Sequence, residues 1–264
     1  MKVKWSRTLP ATPTSVTVIK DAAGRFFASF VIDTDPAADA ARMPASDRTV
    51  GIGLGLTHFA VLSDGTKIDS PRFLRRAEKK LKKAQRELSR KQKGSSNREK
   101  ARLKVARAHA QVTDARREFH HQLSTQLISD NQGIAVEDLA VKGLARTKLA
   151  KSVHDAGWSQ FVHMLEYKAA RYGRTLVKIG RFTPTSQVCS RCGAQDGPKP
   201  LHIRTWTCAA CGAVHDRDHN AAKNVKTAAG LAVTACGAQV RPGLVPAQRD
   251  EAGSHGFPTQ ARAA

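Results

Sequence analysis

Thr49-Val-Gly-Ile-Gly-Leu-Gly-Leu56 is an apolar run with a glycine at every second place. A short apolar stretch bounded by polar residues reads as a buried strand. Its glycines at 51 and 55 suit close packing, because nothing after them has the strand-to-helix context of a dinucleotide site. Working outward, Phe59-Ala-Val-Leu62 returns, Ser63-Asp-Gly65 supplies a hairpin turn, and Thr66-Lys-Ile-Asp69 completes a third strand. Upstream, Ser15-Val-Thr-Val-Ile-Lys20, a turn at Asp21-Ala-Ala-Gly24 and Arg25 to Ile32 read as a further β-hairpin, followed by a polar, alanine-rich link over 34–48.

Downstream the period changes. Leu74, Ala77, Leu81, Ala84 and Leu88 recur at alternating steps of three and four, a narrow apolar stripe on a long helix. Gly94-Ser-Ser-Asn97 breaks it, and Ser96 with Glu99 forms a capping-box pattern for a second helix running toward Ile128. The two predict an antiparallel helical hairpin. Gly133-Ile-Ala-Val-Glu-Asp138 reads as a short buried strand ending in acids. Residues 154–173 form an amphipathic helix with Trp158, Phe161, Leu165 and Ala169 on one face, Thr175 to Ile179 is a strand, and Asp218 to Ala229 is a last helix. Beyond about Gln239 the Pro-, Gly- and Ala-rich chain lacks periodicity and reads as a disordered tail. This order predicts a mixed α/β fold, a ribonuclease H-like sheet with two insertions.

The chain carries 44 basic against 22 acidic residues, a formal charge of +22. Such an excess points to a polyphosphate partner, DNA or RNA. Aromatic residues are only 5%, so contact is expected to be mainly to phosphates and steeply salt-dependent. Between Arg72 and Arg107 sixteen residues are basic and three acidic. A charged run is usually a solvated face, but this one is too lopsided for mutual ion pairing and is read as a phosphate-contacting surface, with Arg75, Arg76, Lys79, Lys80, Lys82, Lys83, Arg86 and Arg90 as its candidates. No apolar run reaches transmembrane length, which argues against a membrane partner. Met1-Lys-Val-Lys-Trp-Ser-Arg7 is too poor in hydrophobic residues for an export signal, so a cytoplasmic, nucleoid-associated location is expected.

Cys189-Ser-Arg-Cys-Gly193 and Cys208-Ala-Ala-Cys-Gly212 place two Cys-x-x-Cys pairs fifteen residues apart. That is zinc-ribbon spacing. A glycine after each second thiolate lets the backbone take positive φ and curl its amides toward the sulfurs. Cys189, Cys192, Cys208 and Cys211 would close a tetrahedron around a structural zinc ion, with no position left for water. Paired disulfides are the competing reading and need an oxidising compartment. His202 and His215 are read as surface or hydrogen-bonding residues, and Cys236 as a buried small hydrophobe.

In a ribonuclease H-like layer, carboxylates at the ends of neighbouring elements hold two divalent metal ions for phosphodiester cleavage. Glu137, ending its strand, and Asp218, opening the last helix, are candidates. Each has a plainer reading, an exposed acid and a helix N-cap.

Five motifs carry a resemblance. Ile134-Ala-Val-Glu-Asp-Leu-Ala-Val-Lys-Gly143, Asp155-Ala-Gly-Trp-Ser-Gln-Phe161, Thr185-Ser-Gln-Val-Cys-Ser-Arg-Cys-Gly193, Trp206-Thr-Cys-Ala-Ala-Cys-Gly212 and Asp216-Arg-Asp-His-Asn-Ala-Ala-Lys-Asn-Val225 occur in the order seen in the transposon-encoded OrfB/TnpB proteins. The chain resembles that family to about Ala232. The resemblance implies a RuvC-like, RNA-guided DNA nuclease of insertion sequences, long labelled transposase, with Glu137 and Asp218 among three metal-binding acids, magnesium as cofactor if activity survives, and DNA and a guide RNA as partners. Asp216 matches a neighbouring acid with no assigned metal role. It also implies that residues 1–34 are a remnant of a wedge region in a shortened chain, that 49–232 form the nuclease domain, and that the helical hairpin (72–128) and ribbon (185–214) are its insertions, followed by the tail (239–264).

The third acid departs from the pattern. Where the family has Val-Gly-Ile-Asp-Leu-Gly, this chain reads Val50-Gly-Ile-Gly-Leu-Gly55, with Gly53 at the aspartate position. In a two-metal site that carboxylate bridges both ions, and Asp64 lies too far along the hairpin to replace it. Three readings stand open: a nucleic-acid binder deficient in cleavage, an active metal-dependent endonuclease, and a non-guided zinc-ribbon module or transposon relic.

Overall fold

The structure is a computed structural model that describes residues 5, 8–200 and 202–231. The tail over 239–264 and Cys236 lie outside the described residues.

A five-stranded mixed sheet organises the chain. Its strands are β3 (Thr49–Leu54), β4 (His58–Leu62), β5 (Lys67–Asp69), β6 (Gly133–Glu137) and β7 (Thr175–Ile179), in the order β5-β4-β3-β6-β7. β3, β4 and β5 form an antiparallel meander, whereas β3, β6 and β7 are parallel. Side chains alternate faces along a strand, and the sheet uses both. Val50, Ile52, Ile134 and Val136 point to a core shared with α3 (Ser96–Asp130) and α6 (Trp158–Arg171), which contributes the fully buried Phe161 and Leu165. Gly51, Gly53, Ala135 and Glu137 have the opposite parity, toward α7 (Arg217–Ala228), whose Val225 packs with Ala135 and Ile179.

Gly51 is what allows α7 to lie so close. A Cβ there would meet the Ala222 carbonyl oxygen at 2.3 Å and the Lys226 nitrogen at 2.6 Å. Gly53, two residues on, is under no such pressure: its nearest neighbours would be 3.8 Å from an added Cβ.

The helical hairpin consists of α2 (Phe73–Ser89) against the first half of α3, with Leu81, Ala108 and Val112 as its buried seam. The cap of α3 is Ser95, whose hydroxyl accepts from the Arg98 amide, one residue before the predicted Ser96. Two other expectations are corrected. The link over 34–48 contains a short helix, α1 (Pro36–Ala41), capped by Asp35, and Arg171 holds its Asp39 in a two-pronged ion pair. The helix expected over 154–173 is two, α5 (Ala150–Ala156) and α6, because Gly157 turns left-handed at φ +65° between them; a single turn, α4 (Val141–Leu144), precedes them.

Lys168 ties α6 to α3 without a carboxylate: its ammonium donates to the His121 carbonyl, Ser124 Oγ and Thr125 Oγ1 at 2.7–2.8 Å, and burial brings its pKa down to about 8. The β1 (Pro13–Lys20) and β2 (Phe26–Ile32) hairpin touches the rest by its turn, where Ala23 is buried and Arg25 pairs with Asp114 of α3. Val16, Val18, Phe26 and Val31 on its faces stay exposed. No described helix is long and apolar enough to cross a membrane.

Candidate acid site and four-cysteine metal centre

The acid site forms where the parallel strands end. β3 and β6 are in register through Ile52 and Val136, so the next step sets Gly53 level with Glu137 on the face that α7 covers. A Cβ built at 53 lies 3.8 Å from the backbone carbonyl of Asp218. Three chain segments, far apart in sequence, thus bring position 53, Glu137 and Asp218 together.

Glu137 is largely enclosed. Its Oε1 accepts from Thr185 Oγ1 at 2.8 Å. Burial raises its pKa, the Thr185 hydroxyl and the Leu54 amide pull the other way, and the charge of Asp218 adds to the rise; the net direction is up. Two nearby carboxylates without a cation between them disfavour each other's ionisation.

Asp218 is not the helix cap. Asp216 takes that place, its Oδ1 accepting from the Asp218 and His219 amides at 3.0 Å. This correction frees the Asp218 carboxylate, which faces Arg204: the guanidinium stands 3.4 Å from Asp218 Oδ2 and 3.3 Å from Thr57 Oγ1. Asp216 also binds Lys67 at 2.7 Å, and His219 Nε2 reaches the Ser63 carbonyl at 3.1 Å, so the start of α7 is pinned to the β4–β5 hairpin. Burial opposes ionisation of Asp216, but Lys67 and the two cap amides outweigh it and its pKa is lowered. Arg204 and Lys67 were not read from the sequence. They come from segments whose neighbourhood only the fold reveals.

The ribbon is built locally. β8 (Thr205–Thr207) and β9 (Val214–Asp216) pair antiparallel with Trp206 opposite His215. In each knuckle the glycine turns left-handed, Gly193 at φ +76° and Gly212 at +68°, and its amide donates to the carbonyl of the first cysteine at 2.9 Å. The four sulfurs lie within 4.8 Å of one another. Cys189–Cys211 and Cys192–Cys208 are each 3.7 Å apart. Bonded sulfurs stand about 2.05 Å apart, whereas a tetrahedron with Zn–S near 2.3 Å has edges of about 3.8 Å. The donor set therefore fits a tetrahedral thiophilic ion. His215 does not join the cluster as a ligand; its Nε2 is 3.0 Å from Cys189 Sγ and its ring lies over Trp206. His202 is exposed.

Two asparagines lock the ribbon onto α7. Asn220 Nδ2 donates to the Val188 carbonyl and its Oδ1 accepts from the Ser190 amide, both at 2.8 Å. Asn224, one helical turn on, donates at 2.7 Å to the Val188 and Thr185 carbonyls. Neither was read from the sequence; their spacing in Asn220-Ala-Ala-Lys-Asn224 is the signal that could have found them, since residues four apart share a helix face.

The eight basic candidates on α2 are all exposed. Some have partners: Arg75 bonds Ser152, Lys80 bonds Gln111, and Lys82 pairs with Glu78. They lie on the hairpin, along α2 and its C-cap Arg90.

Comparison with known proteins follows the same elements. Residues 29–148 match the OrfB_IS605 family, described as "Probable transposase", and residues 158–225 match the "Cas12f1-like, TNB domain" family. A "Putative RNA-guided DNA endonuclease" of Streptomyces pristinaespiralis is 51% identical over 245 residues, 92% of this chain and 60% of that protein. This chain is similar over most of its length to proteins described as putative RNA-guided DNA endonucleases. Another relative, "Putative RNA-guided DNA endonuclease InsQ" of Escherichia coli (strain K12), is 31% identical over 92% of this chain and 63% of its own length. The chain thus spans about three fifths of the length of these two relatives. A chain of the solved assembly "Cryo-EM structure of the Cas12f1-sgRNA-target DNA complex" shares 16% identity, with a TM-score of 0.48 over 67% of this chain and 38% of that one.

Proposed function

We propose that this chain is a nucleic-acid-binding OrfB/TnpB protein, with a ribonuclease H-like sheet and a structural zinc ribbon, whose nuclease centre is deficient. Its relatives are described as RNA-guided DNA endonucleases, and DNA with a guide RNA are the partners this reading takes over. The charge of +22 supports a polyanion partner.

The observation that carries the deficiency is Gly53. It stands beside Glu137 and next to the Asp218 backbone, and it brings hydrogen where a bridging carboxylate is required. The remaining donors, Glu137 and Asp218, leave a pair of divalent ions without a shared carboxylate, and Arg204 stands beside Asp218. No cleavage step is assigned to them. The four cysteines do fit zinc, whose contribution is to hold the two knuckles and, through Asn220 and Asn224, to seat them on α7. Exposed cations on α2 supply phosphate contacts.

The test is Gly53→Asp. The added Cβ meets nothing closer than 3.8 Å, so the variant should fold. At most weak magnesium-dependent nicking by this variant, with none by the wild type, is the expected result. Wild-type cleavage abolished by Glu137→Ala and by Asp218→Ala would instead establish the active endonuclease. Neutralising Lys79, Lys80, Lys82 and Lys83 should weaken binding evenly across sequences and flatten its salt dependence, by up to about 0.9 in log–log slope for each phosphate left without its cation.

A further inference from the structure

Phe182 is 94% exposed, the most exposed large apolar side chain among the described residues. Singly exposed apolar residues are ordinary, so the weight falls on where it stands. β7 ends at Ile179, paired with Glu137, and Phe182 is three residues further on. The loop that carries it is held on both sides. Arg181 reaches back to Asp138 at 2.8 Å, the Thr183 amide donates to the Gly180 carbonyl at 3.1 Å, and Thr185 donates to Glu137 itself. The ring is thus presented to solvent at the same sheet end as the acids, by a segment tied to them.

The segment leaving β6 at that sheet end carries Lys142, Arg146 and Lys148, all exposed and with no ion pair among the described residues. An exposed aromatic face after β7, with exposed cations on the segment that follows the neighbouring strand β6, matches one chemistry well: a base to cover the ring and phosphates to meet the cations. Bases in a duplex are already stacked on one another, so the complementary ligand is single-stranded. We propose that Phe182 is a stacking platform for an unpaired nucleobase at the mouth of the Glu137–Asp218 site. This deepens the nucleic-acid reading above and rests on it.

The experiment measures binding of the full chain to short oligodeoxythymidine, to the same oligonucleotide with abasic positions, and to a duplex of equal length. Phe182→Ala and Phe182→Leu should each lose roughly five- to a hundredfold in affinity for the single strand and leave duplex binding unchanged. Phe182→Trp should keep the affinity, and its additional emission, after subtraction of the wild-type signal, should be quenched by the thymidine strand and not by the abasic one. Equal affinity of the alanine variant and the wild type overturns the stacking role alone, as does a tryptophan whose emission ignores a strand that binds. A wild-type chain that binds no oligonucleotide overturns both this role and the reading beneath it. The ring is outside every core cluster, so the variants should fold.

Discussion

The four-cysteine centre and the acid site share one helix, α7, yet they are assembled in opposite ways. The ribbon draws all its donors from 23 consecutive residues, Cys189 to Cys211, and each knuckle closes by its own backbone bonds. The candidate acid site draws on a strand end, a second strand end and a helix start from three remote segments, and glycine stands at one of the three positions. A local centre is complete or absent as a unit, whereas a dispersed one can lose a member while the fold stands. The difference is visible within β3 alone, where Gly51 is demanded by packing and Gly53 is not.

The strongest blow to the local centre is removal of a donor. Cys208→Ser should abolish stoichiometric zinc, measured as metal per purified chain, and expose the ribbon to proteolysis while the five-stranded sheet still melts cooperatively. Metal binding in such sites carries on the order of 10 kcal/mol of folding free energy. Next comes the packing contrast. Gly51→Ala should cost about 3 kcal/mol in chemical denaturation, because its Cβ has a backbone carbonyl at 2.3 Å that cannot step aside. Gly53→Ala should be neutral within about 0.5 kcal/mol or slightly stabilising. Equal costs at the two positions would erase the distinction.

The join between the two centres is weaker. Asn224→Ala removes the donor to two carbonyls and should cost about 2 kcal/mol, read as a lower melting temperature and faster amide exchange around Thr185 and Val188. The smallest effect is a pH dependence. Burial raises the Glu137 pKa in the folded chain above its unfolded value. The folded state therefore holds that proton longer, is unpenalised below the ordinary glutamate range, and loses stability as pH rises through the folded pKa. Glu137→Gln should remove that loss, so its stability relative to the wild type should climb across this window and then level off. A flat difference would place Glu137 in a more solvated setting.

Much of this architecture was legible because its signals are short-range. Short apolar runs bounded by turns gave β3, β4 and β6, alternating steps of three and four gave α2, and the Cys-x-x-Cys pairs gave the knuckles. What escaped was decided by single residues in competition. Gly157 could sit inside a helix or turn left-handed, and it does the latter, splitting the expected 154–173 helix. Ser95 and Ser96 could each cap α3, as Asp216 and Asp218 could each cap α7, and in both cases the earlier residue caps. Asp35, followed by Pro36, is a cap-and-start signal that the polar composition of the link obscured. The partners of the acids, Arg204, Thr185 and Lys67, follow from tertiary placement, which no local pattern encodes.

The asparagine clamp has a consequence for physiology. Asn220 and Asn224 fasten the ribbon to the helix whose second residue is Asp218, so loosening the knuckles loosens the seat of that acid as well. Oxidants that convert the thiolates, or chelators that take their metal, would be felt at the ends of β3 and β6 through this rod, which makes zinc supply a lever on where Asp218 stands.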